Sequence, residues 1–264
     1  MLLLLHVLML SLLSGGSARV VQNFESECGP FFANGRSPTI FPGRQYRQIC
    51  QMQNNVDYYA TFYDTRNKIP VYSAYKFEGI MHCKRRASWY IEPQIDDNNG
   101  GPNMASEGSV DIQVRGDRQA LNRDYYHSKY HKGHLAPVYL ANSQSCAYAT
   151  FTLTNAAPQA DNFNSVLWWN VEKLMAQYLE RECHLQPVYI VTGVVPGTNN
   201  INNRVNIPSH FWTAYCCLDQ NNRCSDSWGA IGTNDNNSNI EYMSVADLEE
   251  ELENLYGRTF HLFQ

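Results

Sequence analysis

After its first eighteen residues the chain has no further long apolar run, no Cys-x-x-Cys pair, no His-Glu-x-x-His element and no excess of positive charge. Each absence excludes something. Without a second run of the Leu2–Leu5 and Val7–Leu13 kind, nothing is long enough to span a membrane. Without paired cysteines at metal spacing, a thiolate zinc site loses its usual signature. With 20 Lys and Arg against 25 Asp and Glu, a net charge of −5 argues against a broad basic surface or a polybasic membrane patch. There is also no internal repeat and no linker between domains.

The opening run, followed by Gly15-Gly16-Ser17-Ala18, reads as a secretory leader over residues 1–18. It is expected to be removed near Arg19, leaving a chain exported rather than held at a membrane. Eight cysteines follow: Cys28, Cys50, Cys83, Cys146, Cys183, Cys216, Cys217 and Cys224. An even number behind a leader implies disulfides in an oxidising compartment, and spacing does not choose the pairs. Cys216 and Cys217 are expected to bond different partners, since a ring between neighbours is strained.

Residues 19–57 hold two of these cysteines and little periodicity, and are expected to form an extended, stapled arm. The remainder, 58–264, reads as one domain. Aromatic and β-branched runs predict strands at Tyr58–Asp64, Ile69–Phe77, Ser88–Ile95, Phe151–Leu153, Val188–Val195, Phe211–Leu218, Trp228–Ile231 and Thr259–Phe263. Apolar residues at three- and four-residue spacing predict a helix over Asn164–Cys183. A second helix should start at Ser244, with Asp247 completing a capping box, and end at Gly257. Strands and helices without regular alternation imply an α+β domain, a central antiparallel sheet flanked by helices.

The chemistry concentrates in two stretches, Lys129–Asn142 and Thr154–Leu174. In the first, His134 follows Lys132 and Gly133. An imidazole beside bare backbone and a cation suits a general base acting on a phosphate. The second supplies Asn155, Gln159, Asn164 and Glu172, oxygen donors that suit a hard, hydrated cation such as magnesium better than zinc. His127, His131 and His134 would share one face of a helix and could hold zinc, but Gly133 weakens that helix.

These stretches resemble the DNA/RNA non-specific endonucleases of the ββα-metal (His-Me finger) fold. The family's Asp-Arg-Gly-His is similar to His131-Lys132-Gly133-His134. Its Asn-x-x-Pro-Gln, Leu-Asn, Trp and Leu-Glu elements are similar to Asn155–Gln159, Phe163-Asn164, Trp168 and Val171-Glu172. The likeness covers roughly Phe62 to Phe263.

The resemblance implies a secreted, disulfide-stabilised endonuclease that hydrolyses DNA and RNA with little sequence specificity. Contacts would be to phosphates, and no small-molecule cofactor is implied. His134 would activate water, Lys132 would steady phosphoryl charge, and Asn164 would hold Mg2+ (or Mn2+). Along an ideal α-helix the eight residues to Glu172 rise about 12 Å and turn roughly 80° past two full turns, so Glu172 would reach that ion through water. Asn155 and Gln159 would hold the substrate or the ion's water. Lys132 stands in place of arginine, losing its two-pronged grip on phosphate. His131 in place of aspartate removes a carboxylate. These departures, with the acidic balance, are what support the alternative of a secreted binding protein on the same scaffold. The acidic balance alone does not exclude cleavage, which needs only a local positive groove.

Overall fold

A computed structural model describes residues 20–264. The leader expected over 1–18 lies outside them. In chain order the strands are β1 (Val20–Val21), β2 (Tyr46–Gln53), β3 (Val56–Asp64), β4 (Ile69–Phe77), β5 (Tyr130–His134), β6 (Ala156–Ala160), β7 (Val188–Val195), β8 (Asn200–Ile201), β9 (Val205–Asn206), β10 (His210–Leu218), β11 (Cys224–Thr233) and β12 (Ile240–Met243). The α-helices are α1 (Phe24–Cys28), α2 (Pro93–Asp96), α3 (Gln144–Ala149), α4 (Trp169–Glu182) and α5 (Val245–Tyr256).

Eight strands form one antiparallel sheet in the order β1-β2-β3-β4-β7-β10-β11-β12. Both faces are covered, which explains the near-continuous burial of β4, β7 and β10. Along β10 the side chains alternate between the two layers. Trp212 and Ala214 join Leu248 and Leu252 of α5 and Phe260 of the C-terminal tail. Phe211 meets Trp168 and Val171, and Tyr215 meets Met175 and Leu179, on the opposite face. That second layer contains the β5–β6 hairpin and α4, the two pieces that carry the site.

Three disulfides pin these layers. Cys28–Cys50 ties α1 to β2, Cys183–Cys217 ties the end of α4 to β10, and Cys216–Cys224 bridges β10 and β11. The neighbours Cys216 and Cys217 do bond different partners, because successive residues of a strand face opposite sides.

Several expectations need correction. The arm over 19–57 is not separate: β2 pairs along its length with β3, so the sheet draws no line at residue 57. Ser88–Ile95 is no strand of the sheet. Tyr90 bridges Thr152, Ile91 bridges Ala105, and Pro93 then opens a helical turn. Two partners in two directions and a proline without an N–H leave no ladder to extend. Phe151–Leu153 contributes only that one bridge, and Leu153–Asn155 is a 3-10 turn. Thr259–Phe263 forms no strand either, since Thr39 meets His261 through one backbone bond and one hydroxyl.

Candidate active site

The hairpin pairs His134 with Ala156 and Lys132 with Pro158. Its alternation puts Lys132 and His134 on one face and His131 and Gly133 on the other. A Cβ on Gly133 would come within 2.2 Å of Gln159 Oε1 and 2.6 Å of Gln159 Cβ. Glycine is required here by the close approach of a neighbouring side chain. Because His131 is in an extended strand and His127 has φ 58°, the helix needed for the zinc trio does not exist.

The helix carrying the second stretch starts one residue earlier than expected and in a different form. Phe163–Trp168 is a π-helical turn that runs straight into α4. Its wider i→i+5 turn consumes fewer degrees per residue than an α-helix. Asn164 and Glu172 are thereby brought closer to one line than an unbroken α-helix would place them. Both face a cavity of about 210 Å3 also lined by Lys132, His134, Arg85 and Trp169. The fold thus brings together four residues singled out in the sequence: His134, Lys132, Asn164 and Glu172. A larger groove of about 650 Å3 lies elsewhere, against Tyr178, Tyr215, Trp228 and Tyr242, and holds none of the four.

His134 ends β5 and is buried, its ring centre 4.7 Å from Trp89 and 4.9 Å from Phe151. Its Nε2 is sealed from solvent with no hydrogen-bond partner, and the residue lines the cavity. Burial, and then the nearby Arg85 guanidinium, hold the imidazolium down to about 3, so the ring is neutral at ordinary pH. Burial pushes the half-buried Glu172 carboxyl up to about 8, against a smaller opposing pull from Arg85. Lys132 Nζ lies 5.5 Å from the ring centres of Trp89 and Tyr125, and burial lowers its pKa.

Asn164 donates from Nδ2 to His131 Nδ1 at 3.0 Å. The other ring nitrogen of His131 faces Asp161 Oδ1 at 3.4 Å, which suits a proton on Nε2 and a lone pair on Nδ1. Asn164 lines the cavity, and its Oδ1 accepts no hydrogen bond among the described residues. A free amide oxygen and a carboxylate in a small polar cavity form a donor set that fits a hydrated magnesium or manganese ion. A cation there would also favour the charged form of Glu172.

Two residues expected at the substrate are elsewhere. Asn155 is fully buried and saturated: it accepts from Ser73 Oγ and Ala136 N and donates to the carbonyls of Ala136 and Thr150. It braces the chain just after His134 and has no valence left for a substrate. Gln159 is fully buried on the other face of the hairpin, under Gly133. Residue type suggested donors, but only strand parity reveals which way they point.

Two other residues do reach the site. Arg85 of Lys84-Arg85-Arg86 lines the cavity, its Cζ 5.4 Å from the Phe151 ring centre. In sequence this triplet reads more simply as a solvated turn than as a phosphate-tracking patch. His131 grips the Asn164 amide, a role that its place opposite an expected aspartate does not disclose.

A model of the DNA/RNA non-specific endonuclease family matches residues 43–261. The chain belongs to that family. Endonuclease domain-containing 1 protein of Homo sapiens is 36% identical over 195 residues, which are 72% of this chain and 39% of that protein. The chain therefore spans well under half the length of this relative. Mitochondrial endonuclease G of Bos taurus is 32% identical over 169 residues, 52% of this chain and 55% of that one. A crystal structure of an EndoG/EndoGI complex superposes with a TM-score of 0.53 at 20% identity, covering 82% of this chain and 86% of the other. The fold is accordingly that of the ββα-metal nucleases, with β5, β6 and the helix through α4 as the two strands and helix that name it.

Proposed function

We propose that this non-specific endonuclease relative is a secreted, metal-dependent phosphodiesterase that cuts DNA and RNA internally with little sequence preference. What carries the reading is one cavity: a neutral, oriented imidazole, two cations, a free amide oxygen and a carboxylate, supplied by three separated segments. The endonuclease names of its relatives support the reaction class, and three disulfides support an oxidising compartment.

His134 takes a proton from water as the water oxygen attacks phosphorus, and the bond from phosphorus to the 3′ oxygen breaks. The leaving 3′ oxygen takes a proton from solvent water, so the products are a 5′-phosphate and a 3′-hydroxyl. Asn164 Oδ1 would hold the divalent ion, with Glu172 reaching it through water. Such an ion, when bound, polarises the phosphoryl group and stabilises the leaving oxygen. Arg85 supplies the planar, two-pronged donor that Lys132 lacks, and together they neutralise charge on the non-bridging oxygens. Gripping phosphates rather than bases gives no sequence information, which accounts for the expected lack of preference.

Nicking of supercoiled plasmid tests the reading. Purified protein should nick with magnesium, stop with EDTA, and slow by about 10³-fold in His134→Ala. No chelator-sensitive cleavage, or full cleavage in the variant, would instead favour a secreted binding protein on the same scaffold.

A further inference from the structure

Six of the eight cysteines are in bridges; Cys83 and Cys146 are not. These two lie on segments that are already clamped together. Lys84 N–H donates to Gln144 Oε1 at 2.9 Å, and Gln144 Nε2 donates back to the Lys84 carbonyl at 2.9 Å. Cys83 is next to one end of this double link and Cys146 is two residues from the other. Cys83 also packs on the small apolar cluster that contains Cys146, Val138, Ala147 and Phe151. Burial pushes the Cys146 thiol up to about 12, and the neighbouring Cys83 adds to that push.

We propose that Cys83 and Cys146 form a fourth disulfide, which fastens the loop carrying Arg85 to α3 and so holds that guanidinium over the His134 cavity. In a compartment that keeps three other bridges closed, two adjacent thiols do not persist as thiols. The half-exposed Cys83 is the one an oxidant reaches. Its thiolate attacks a disulfide of glutathione type, releasing one thiol and leaving a mixed disulfide on Cys83. Cys146 then attacks the Cys83 sulfur and releases the second thiol. One external disulfide is reduced to two thiols as one protein disulfide forms, and the two cysteine protons leave with the released thiols. The bridge stands independently of the function proposed above; its effect on Arg85 rests on that reading.

Peptide mapping tests the bridge without any activity. Protein unfolded in guanidinium without reductant should take no iodoacetamide at Cys83 or Cys146. Its digest should yield one linked peptide pair that separates on reduction. Labelling of both residues in most molecules, or linkage of either to another cysteine, would overturn the proposal. For Arg85, the Cys83→Ser/Cys146→Ser double variant should nick plasmid about 10-fold more slowly, as expected of a displaced positioning group. In an Arg85→Ala background the same two substitutions should leave the rate unchanged while lowering the melting temperature equally. Equal rate losses in both backgrounds would overturn the Arg85 clause.

Discussion

Replacing Asn155 by alanine separates a bracing role from a substrate-binding one. Asn155 makes four hydrogen bonds in a fully buried setting, to Ser73, to both backbone groups of Ala136 and to the Thr150 carbonyl. Ser73 keeps a second partner in Thr61 at 2.9 Å, so three backbone groups are orphaned in the variant. At about 1–1.5 kcal/mol each, the loss should be about 3–4.5 kcal/mol. That is a large share of the roughly 5–15 kcal/mol that holds a typical domain folded. Guanidinium unfolding of wild type and Asn155→Ala, with disulfides intact, measures it directly. Because Ala136 lies two residues past His134, kcat on plasmid should also fall while KM stays near the wild-type value. A loss under about 1 kcal/mol together with a raised KM would refute the bracing role and restore the residue to the substrate.

Three further outcomes follow from the same geometry. His131→Ala frees the Asn164 amide to rotate, and manganese affinity measured by calorimetry should drop about 10-fold, the usual effect of losing a partner that orients a ligand; unchanged affinity would remove His131 from the site. Gly133→Ala drives a methyl into Gln159 and should cost about 1–3 kcal/mol in a denaturant melt; a neutral effect would mean that Gln159 swings aside freely. Stability should also respond to acid through His134. Below pH 6.5 the unfolded chain takes up a proton that the folded one, held to about 3, refuses, so stability present at pH 7 is lost as pH falls. Between pH 7 and pH 5 wild type should lose about 2 kcal/mol more than His134→Asn; parallel losses would show an imidazole that titrates normally.

Where an element depends on its own residues, the sequence is a good guide. Ile69–Phe77 and Val188–Val195 are apolar runs closed by turns, and they are strands at those bounds. Helix α5 begins where Ser244 Oγ accepts from Asp247 N and ends at Gly257 with φ 67°, as its capping residues imply. Ser88–Ile95 has the same composition as a strand but meets two different segments, which no local pattern encodes. The site divides in the same way. His134, Lys132, Asn164 and Glu172 stand out by motif spacing, and the fold lines one cavity with all four. Asn155 and Gln159 are misread because facing is decided by register in a hairpin closed across more than twenty residues. Arg85 is underrated because its approach to Phe151 and His134 depends on packing between distant segments.

Everything proposed for the reaction depends on Asn164 and His134 lining one site for a single hydrated divalent ion. Manganese soaked into crystals of the protein tests it through anomalous scattering. A single peak is expected about 2.1 Å from Asn164 Oδ1, lying between that atom and His134, with Glu172 reached through ordered water. A peak at some other group of ligands, or none in the cavity at a manganese concentration that supports cleavage, would contradict it.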